Sequence, residues 1–272
     1  MNADQLERYF ARIGYRGPRT ASLPVLHALT AAHAQSIPFE NLDVLLERRI
    51  DLSDDALFDK LVVQRRGGYC FEQNGLFLRV LQTLGFAVTP LSARGRIFQR
   101  AREITPPRTH LFLQVELDGT RWFTDVGVGA LSLTAALHFE LDTPQVTPHD
   151  TRRIVFEDNR YYHQVLYDTW TDVYEFTGEA MPKIDCEVSN WFTSAHPQSH
   201  FKNQLIVARP TSDGRRYTIH NTELKIREHN GESHVTPIEA PETLLALLQA
   251  HFGLHLPANT RFGNTLWQAR AS

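Results

Sequence analysis

The sequence predicts an α+β fold of more than one domain, with a helical first third, an antiparallel sheet or barrel in the middle and a mixed last third. Three observations carry this. Apolar residues recur at helical spacing as far as Leu84, alternation with period two takes over after Phe86, and short alternating runs followed by one more helical stripe fill the C-terminal part. At 272 residues the chain also exceeds the ~150 residues of a typical domain.

Leu6, Tyr9, Phe10 and Ile13 mark the first helix. Leu23, Leu26 and Leu29 mark the second, with Ser22 at its cap and Pro24 in its first turn. Ser53-Asp54-Asp55 opens a third, whose stripe is Leu57, Phe58, Leu61 and Val62 and whose basic end is Arg65-Arg66-Gly67. Phe77, Val80, Leu81 and Leu84 give a fourth, closed by Gly85. Strands follow at His110 to Leu117, Arg121 to Val126, Arg152 to Phe156, Tyr161 to Tyr167 and Val173 to Phe176, separated by Gly, Asp, Asn and Pro. Shorter ones are expected at Gln204 to Ala208, Arg216 to His220 and Glu223 to Arg227. Pro241-Glu242 then opens a last helix containing Leu244, Leu245, Leu247 and Leu248. The segment Gln99 to Arg108, rich in Pro and Arg, is the expected mobile loop.

With 28 basic and 31 acidic residues and no long block of either sign, neither nucleic acid nor a membrane surface is an expected partner. The N-terminus lacks the basic-then-apolar order of a signal peptide, and no apolar run nears the ~20 residues of a membrane span, so a cytoplasmic protein is expected. In that compartment the two cysteines, Cys70 and Cys186, are expected as free thiols.

The block Arg66-Gly67-Gly68-Tyr69-Cys70-Phe71-Glu72-Gln73-Asn74-Gly75 sets Cys70 in the joint between two helices, where unpaired N–H groups and the positive helix end stabilise an anion. A buried cysteine can equally be a small hydrophobe, and position alone leaves the two readings even. Cys186 is the poorer nucleophile because Asp185 and Glu187 flank it.

Asp118-Gly119 between two alternating runs signals a two-residue hairpin turn. Pairing Leu117 with Thr120 sets Glu116 against Arg121, a favourable cross-strand pair. In that register His110 lies opposite Gly127 and Phe112 opposite Asp125, so His110 and Asp125 become diagonal neighbours on one face, about 7–8 Å apart. The opposite face, Leu111, Leu113, Val115 and Leu117 against Trp122, Thr124 and Val126, is the expected packed one. A thiol, an imidazole and a carboxylate are the set that nucleophilic thiol catalysis requires. His196 and His200, like His251 and His255, have metal-compatible spacing, but neither pair has an acidic or cysteine partner in a recognisable pattern, and no metal is expected.

Beyond these groups, five blocks carry a resemblance: Ser36 to Val44, Arg66 to Gly75, Pro106 to Leu111, Asp125 to Gly129 and Asn190 to Phe201. In content, order and spacing they resemble the arylamine N-acetyltransferases, in particular the bacterial N-hydroxyarylamine O-acetyltransferases. The resemblance implies that Cys70 is the acetyl-accepting nucleophile, His110 its base and acid, and Asp125 the group that orients His110. It implies a helical bundle over residues 1–85, a β-barrel over 86–190 and an α/β lid over 191–272. It makes Glu40 and Arg66 a structural ion pair bracing the Cys70 loop. Phe39 and Phe201 would line the cleft for acceptor and coenzyme A, with Gly127 and Gly129 on the coenzyme's side. Val128 stands where the family usually has Phe, which should widen the acceptor pocket. The implied donor is acetyl-CoA, with no permanently bound cofactor, and the implied acceptors are small aromatic amines, hydrazines or hydroxylamines. The alternative is a cysteine hydrolase or transglutaminase-like enzyme using the same three residues in the same chain order.

Overall fold

The helical stripes fold where their periodicity places them in the computed structural model, which describes residues 1–229 and 231–262. They form α1 (Ala3–Ile13), α2 (Leu23–Ser36), α4 (Asp54–Phe58) and α5 (Cys70–Thr83), and a short α3 (Leu42–Leu45) that no stripe announced stands between α2 and α4. Asn2 caps α1 by accepting from Gln5 N at 2.9 Å while the Gln5 side chain accepts from Asn2 N at 3.0 Å, a reciprocal pair that satisfies two end donors. Ser22 stands at the cap of α2 but makes no side-chain bond there.

The third predicted helix departs from expectation. After Phe58 it widens into a π-turn, Asp59–Val63, and the left-handed residue at its exit is Arg65 (φ 55°) rather than Gly67. Gly67 answers to space instead: a Cβ there would lie 2.1 Å from the Pro38 carbonyl oxygen.

The middle of the chain is an eight-stranded antiparallel sheet of β2 (Ala87–Gly95), β3 (His110–Leu117), β4 (Thr120–Thr124), β5 (Leu137–His138), β6 (Gln145–Val146), β7 (Thr151–Glu157), β8 (Arg160–Leu166) and β9 (Trp170–Ala180). Its order is β5-β4-β3-β2-β9-β8-β7-β6. The edges meet through one side chain: Gln145 Oε1 accepts from His138 N at 2.7 Å, and Gln145 Nε2 donates to His138 O at 2.9 Å. The result is a nearly closed barrel filled by Leu91, Phe112, Phe123, Val165, Val173, Tyr174 and Phe176. Pro90 obscured β2 in the sequence, and it stands next to the register shift between Leu91 and Ala93 where pairing with β9 is interrupted.

The hairpin forms as counted, with Leu117 opposite Thr120 and Glu116 opposite Arg121, and positive φ at Asp118 and Gly119. Two of its expectations are corrected. The ladder stops at Leu113 and Thr124, so Asp125 and Gly127 lie beyond it. Both faces of β3 are packed, Leu113 and Val115 against α2 and α5, Phe112 inside the barrel, because helices cover the barrel wall here.

The second sheet runs β1-β10-β11-β12-β13, built from β1 (Phe39–Glu40), β10 (Ile206–Pro210), β11 (Arg216–His220), β12 (Glu223–Arg227) and β13 (Ser233–Pro237). Phe39 pairs with Ala208, so a strand from the first third extends a sheet otherwise made by the last. Two helices absent from the sequence reading, α6 (Lys183–Ala195) and α7 (His200–Asn203), precede that sheet, and α8 (Pro241–Phe252) covers it with Leu244, Leu248 and Phe252. The end of the expected third part, residues 263–272, lies outside the described residues. Among the described residues no helix is long and apolar enough to cross a membrane.

Candidate active site

Cys70 is the first residue of α5, with Tyr69 at the cap. Of the end N–H groups, those of Glu72 and Gln73 donate to Tyr69 O at 3.0 and 2.9 Å, and Tyr69 N donates to Glu72 Oε2 at 3.0 Å. That leaves the N–H groups of Cys70 and Phe71 at the positive end of the helix, as its geometry dictates. Cys70 Sγ lies 3.7 Å from the carbonyl oxygen of Thr109, the residue before β3. β3 then presents His110, whose Nε2 is 2.7 Å from Asp125 Oδ2 on the segment leaving β4.

Both His110 and Asp125 are buried. Burial alone would push the imidazole toward neutrality. The Asp125 charge and hydrogen bond, and the hydrogen bond and charge of the Cys70 side chain, outweigh it and push His110 up to about 10. With Nε2 committed to Asp125, Nδ1 is the nitrogen left for the thiol. The three groups that the sequence supplied from separate segments therefore meet.

What lets them meet is close packing at Gly127. A Cβ there would fall 2.7 Å from Cys70 Cα and 2.8 Å from Asn74 Nδ2, so only glycine allows residues 125–127 to lie flat on the first turns of α5. The Gly127 N–H also donates to Asp125 Oδ1 at 2.9 Å. This glycine thus answers to the protein's own helix, whatever ligand passes nearby.

A second charged cluster sits behind the joint. Arg66 reaches Glu40 Oε1 with Nε at 3.1 Å and Nη2 at 2.8 Å, and reaches Asp43 Oδ1 at 3.1 Å. Lys60 continues the chain, to Asp43 at 2.7 Å and to Glu72 at 2.6 Å. Burial would push Lys60 down, but the carboxylates of Glu72, Glu40 and Asp43 hold it above its ordinary range. The Glu40–Arg66 pair is the one the resemblance implied, whereas Asp43, Lys60 and Glu72 were missed. Glu72 alone had a usable signal, its place three residues after the cap position.

Rings line the far side of the thiol. Phe39 and Phe201 have centroids 6.0 Å apart, and Tyr69 meets Phe201 edge-on at 5.7 Å. Asn41 Nδ2 holds the Phe201 segment by donating to the carbonyls of Phe201 (2.6 Å) and Gln204 (2.7 Å). The Tyr69 hydroxyl donates to Asn190 Oδ1, tying α6 to the Cys70 joint. Gly129 takes a left-handed conformation against the Phe39 ring. Val128 turns the other way, into the barrel interior with Phe112 and Phe176.

The loop expected to be mobile is tied down from beneath. The buried Arg96 donates Nη1 to the carbonyls of Ala101 (2.9 Å) and Ile104 (2.8 Å), and Arg102 binds Asp172 through Nε at 2.7 Å. Phe98, just ahead of the loop, stacks on His200 with centroids 4.7 Å apart. The remaining histidines of the metal-compatible pairs are also engaged: His196 stacks on Phe192 and His251 on Tyr217. α8 ends at Phe252 with Gly253 left-handed, so His255 does not share a helix with His251. Cys186 is buried and unbonded to Cys70. Burial first, then the charges of Cys70, Asp185 and Glu187, push its thiol up to about 12.

A family profile described as N-acetyltransferase matches residues 22–261. The chain is 41% identical over 260 residues to the arylamine N-acetyltransferase of Mycolicibacterium smegmatis, covering 93% of each chain. It is 38% identical over 252 residues to the arylamine N-acetyltransferase / N-hydroxyarylamine O-acetyltransferase of Salmonella typhimurium, covering 92% of this chain and 88% of that one. A solved structure of the Mycobacterium marinum arylamine N-acetyltransferase in complex with CoA superposes with a TM-score of 0.89 at 35% identity over 97% of each chain.

Proposed function

The chain belongs to the arylamine N-acetyltransferase family, and we propose that it transfers an acetyl group from acetyl-CoA through a Cys70 thioester to aromatic amines, hydrazines or N-hydroxyarylamines. The observation that carries the reading is the buried contact of His110 with Asp125 beside a thiol at a helix N-terminus.

In the first half-reaction the Cys70 thiolate attacks the thioester carbonyl carbon. The carbon–sulfur bond to coenzyme A breaks, and the departing thiolate takes its proton from the His110 imidazolium. The N–H groups at the start of α5 offer hydrogen bonds to the tetrahedral oxyanion. Acetylation then removes the sulfur charge that helped to keep His110 protonated. The neutral imidazole can accept a proton from the attacking nitrogen or hydroxylamine oxygen as the bond to Cys70 breaks, which restores the starting ion pair. Asp125 holds one ring nitrogen throughout, so the other stays aimed at the sulfur. Transfer of this kind is ping-pong.

Phe39 and Phe201 are the proposed walls for an uncharged aromatic acceptor. Val128, in place of a phenylalanine ring, would leave room at the barrel edge, and the backbone at Gly127 and Gly129 would face the coenzyme. The bundle, barrel and lid of residues 1–85, 86–190 and 191–272 are the corresponding proposed division of labour. The test is intact mass after exposure to acetyl-CoA without acceptor. The enzyme should gain one acetyl group and lose it to an added arylamine as acetylated amine. Cys70→Ala should gain none; a Cys70→Ala protein that still acetylates, or release of free acetate only, would overturn the reading.

A further inference from the structure

We propose that Asn74 is a positioning residue of the reaction, the amide that sets the Asp125 carboxylate and thereby the charge state of the Cys70–His110 pair; the inference rests on those groups acting as described above. Asn74 lies four residues after Cys70, one turn along the same face of α5. It is fully buried, yet none of its polar contacts serves the helix. Its Nδ2 donates to Asp125 Oδ1 at 2.8 Å and to Leu111 O at 2.7 Å, and its Oδ1 accepts from Val126 N at 3.1 Å. The amide orientation follows from these partners, since a carboxylate and a carbonyl both demand hydrogens and Val126 N demands an oxygen.

Every one of these contacts goes to the segments carrying the other two reacting groups: Leu111 follows His110, and Val126 follows Asp125. One side chain on the nucleophile's helix therefore fixes the imidazole's strand and the carboxylate's segment together. With Gly127 N also on Oδ1, that oxygen receives two N–H donors, and Oδ2 is left to His110 alone. A carboxylate so bonded cannot rotate, because turning would break both bonds. A neutral amide is suited to this place: it supplies a hydrogen without adding charge next to an ion pair.

The decisive variant is Asn74→Asp, nearly the same in shape but opposing a second carboxylate to Asp125 Oδ1. Ionisation of the second carboxyl at that separation is unfavourable, and where it occurs its negative charge disfavours the thiolate. The measurements are the pH profile of iodoacetamide alkylation of Cys70 and the split between kcat and KM. The acidic limb of alkylation should move up by about one pH unit or more, and kcat should fall by about tenfold or more with KM for acetyl-CoA within about twofold. Asn74→Ala, which removes the amide without adding charge, should lose kcat similarly with the acidic limb nearer its original place. In the unaltered protein, the Asn74 side-chain amide hydrogens should exchange slowly with solvent and shift in NMR spectra as His110 titrates. Folded variants that keep both kcat and the alkylation profile would overturn the inference, as would fast exchange of those amide hydrogens in the native enzyme. If Cys70 is not the alkylated, acetylated residue at all, the underlying mechanism fails instead, and the Cys70→Ala control separates the two results.

Discussion

Two buried charged clusters flank the start of α5, and they differ in what they leave unpaired. In the brace behind it, Glu40, Asp43, Arg66, Lys60 and Glu72 form a continuous chain in which Arg66 and Lys60 each bridge two carboxylates and Asp43 also meets Arg48 at 3.5 Å. In the cluster in front, Asp125 is held by Asn74, Gly127 and His110, His110 is shared between Asp125 and the thiol, and Cys70 Sγ also lies at 3.7 Å from Thr109 O. The carboxylates of the brace are each met by a cation within it. The cluster in front ends on a polarisable sulfur atom with no charged partner of its own beyond His110 among the described residues. In the proposed reaction, similar residue types thus give rigidity in one place and reactivity in the other, according to whether the last group in the chain is already paired.

Substitutions on either side should separate the two roles. Asp125→Asn should lower kcat/KM by about a thousandfold or more, since an amide neither supports an imidazolium nor fixes its tautomer, while the protein still folds. Steady-state kinetics beside a melting curve check this, and an active Asp125→Asn enzyme would remove the distinction. Arg66→Met should do the reverse. It leaves Glu40 buried without its cation and Asp43 with Lys60 but not Arg66, which costs about 3–5 kcal/mol, read as a lowered denaturant midpoint; the protein that does fold should still be acetylated at Cys70.

The smallest effect is a pH dependence. A histidine whose folded value is raised contributes stability in full below its ordinary value of 6.5 and loses it progressively as pH rises toward about 10. Denaturation between pH 6.5 and 10 should show that decline in the native enzyme, and His110→Gln should flatten it. The brace has no group titrating in that window through its lysine, which is held high, so an unchanged slope in His110→Gln would place the titration elsewhere.

Much of the site was legible because its chemistry is local. The thiol at a helix start follows from the glycines and apolar spacing around it, and the two-residue turn fixed the pairing from which His110 and Asp125 were brought to one face. The pairing itself ended at Leu113 and Thr124, short of both residues, so the conclusion held while its last step did not. Less visible were groups whose partners come from far along the chain. Asn74 contacts residues 37 and 51 positions away, and Lys60 reaches Asp43 and Glu72 through a π-turn that no apolar spacing announces. α6 escaped because its stripe is thin: Cys186, Asn190 and Thr193 are its buried positions, and Ile184, Val188 and Trp191 are exposed.

By itself the sequence determined the alternation of helices and strands, the Asp118-Gly119 turn, the place of Cys70 at a helix start and the identity of the groups that could serve it, since each depends on neighbours within a few turns or one hairpin. Only the tertiary structure decided that the barrel's His110 and Asp125 lie against the first turn of α5, that Gly127 opens the space for it, and that a five-membered charged chain stands behind. Those outcomes depend on distances between segments, and close packing sets such distances through side chains that no single stretch contains.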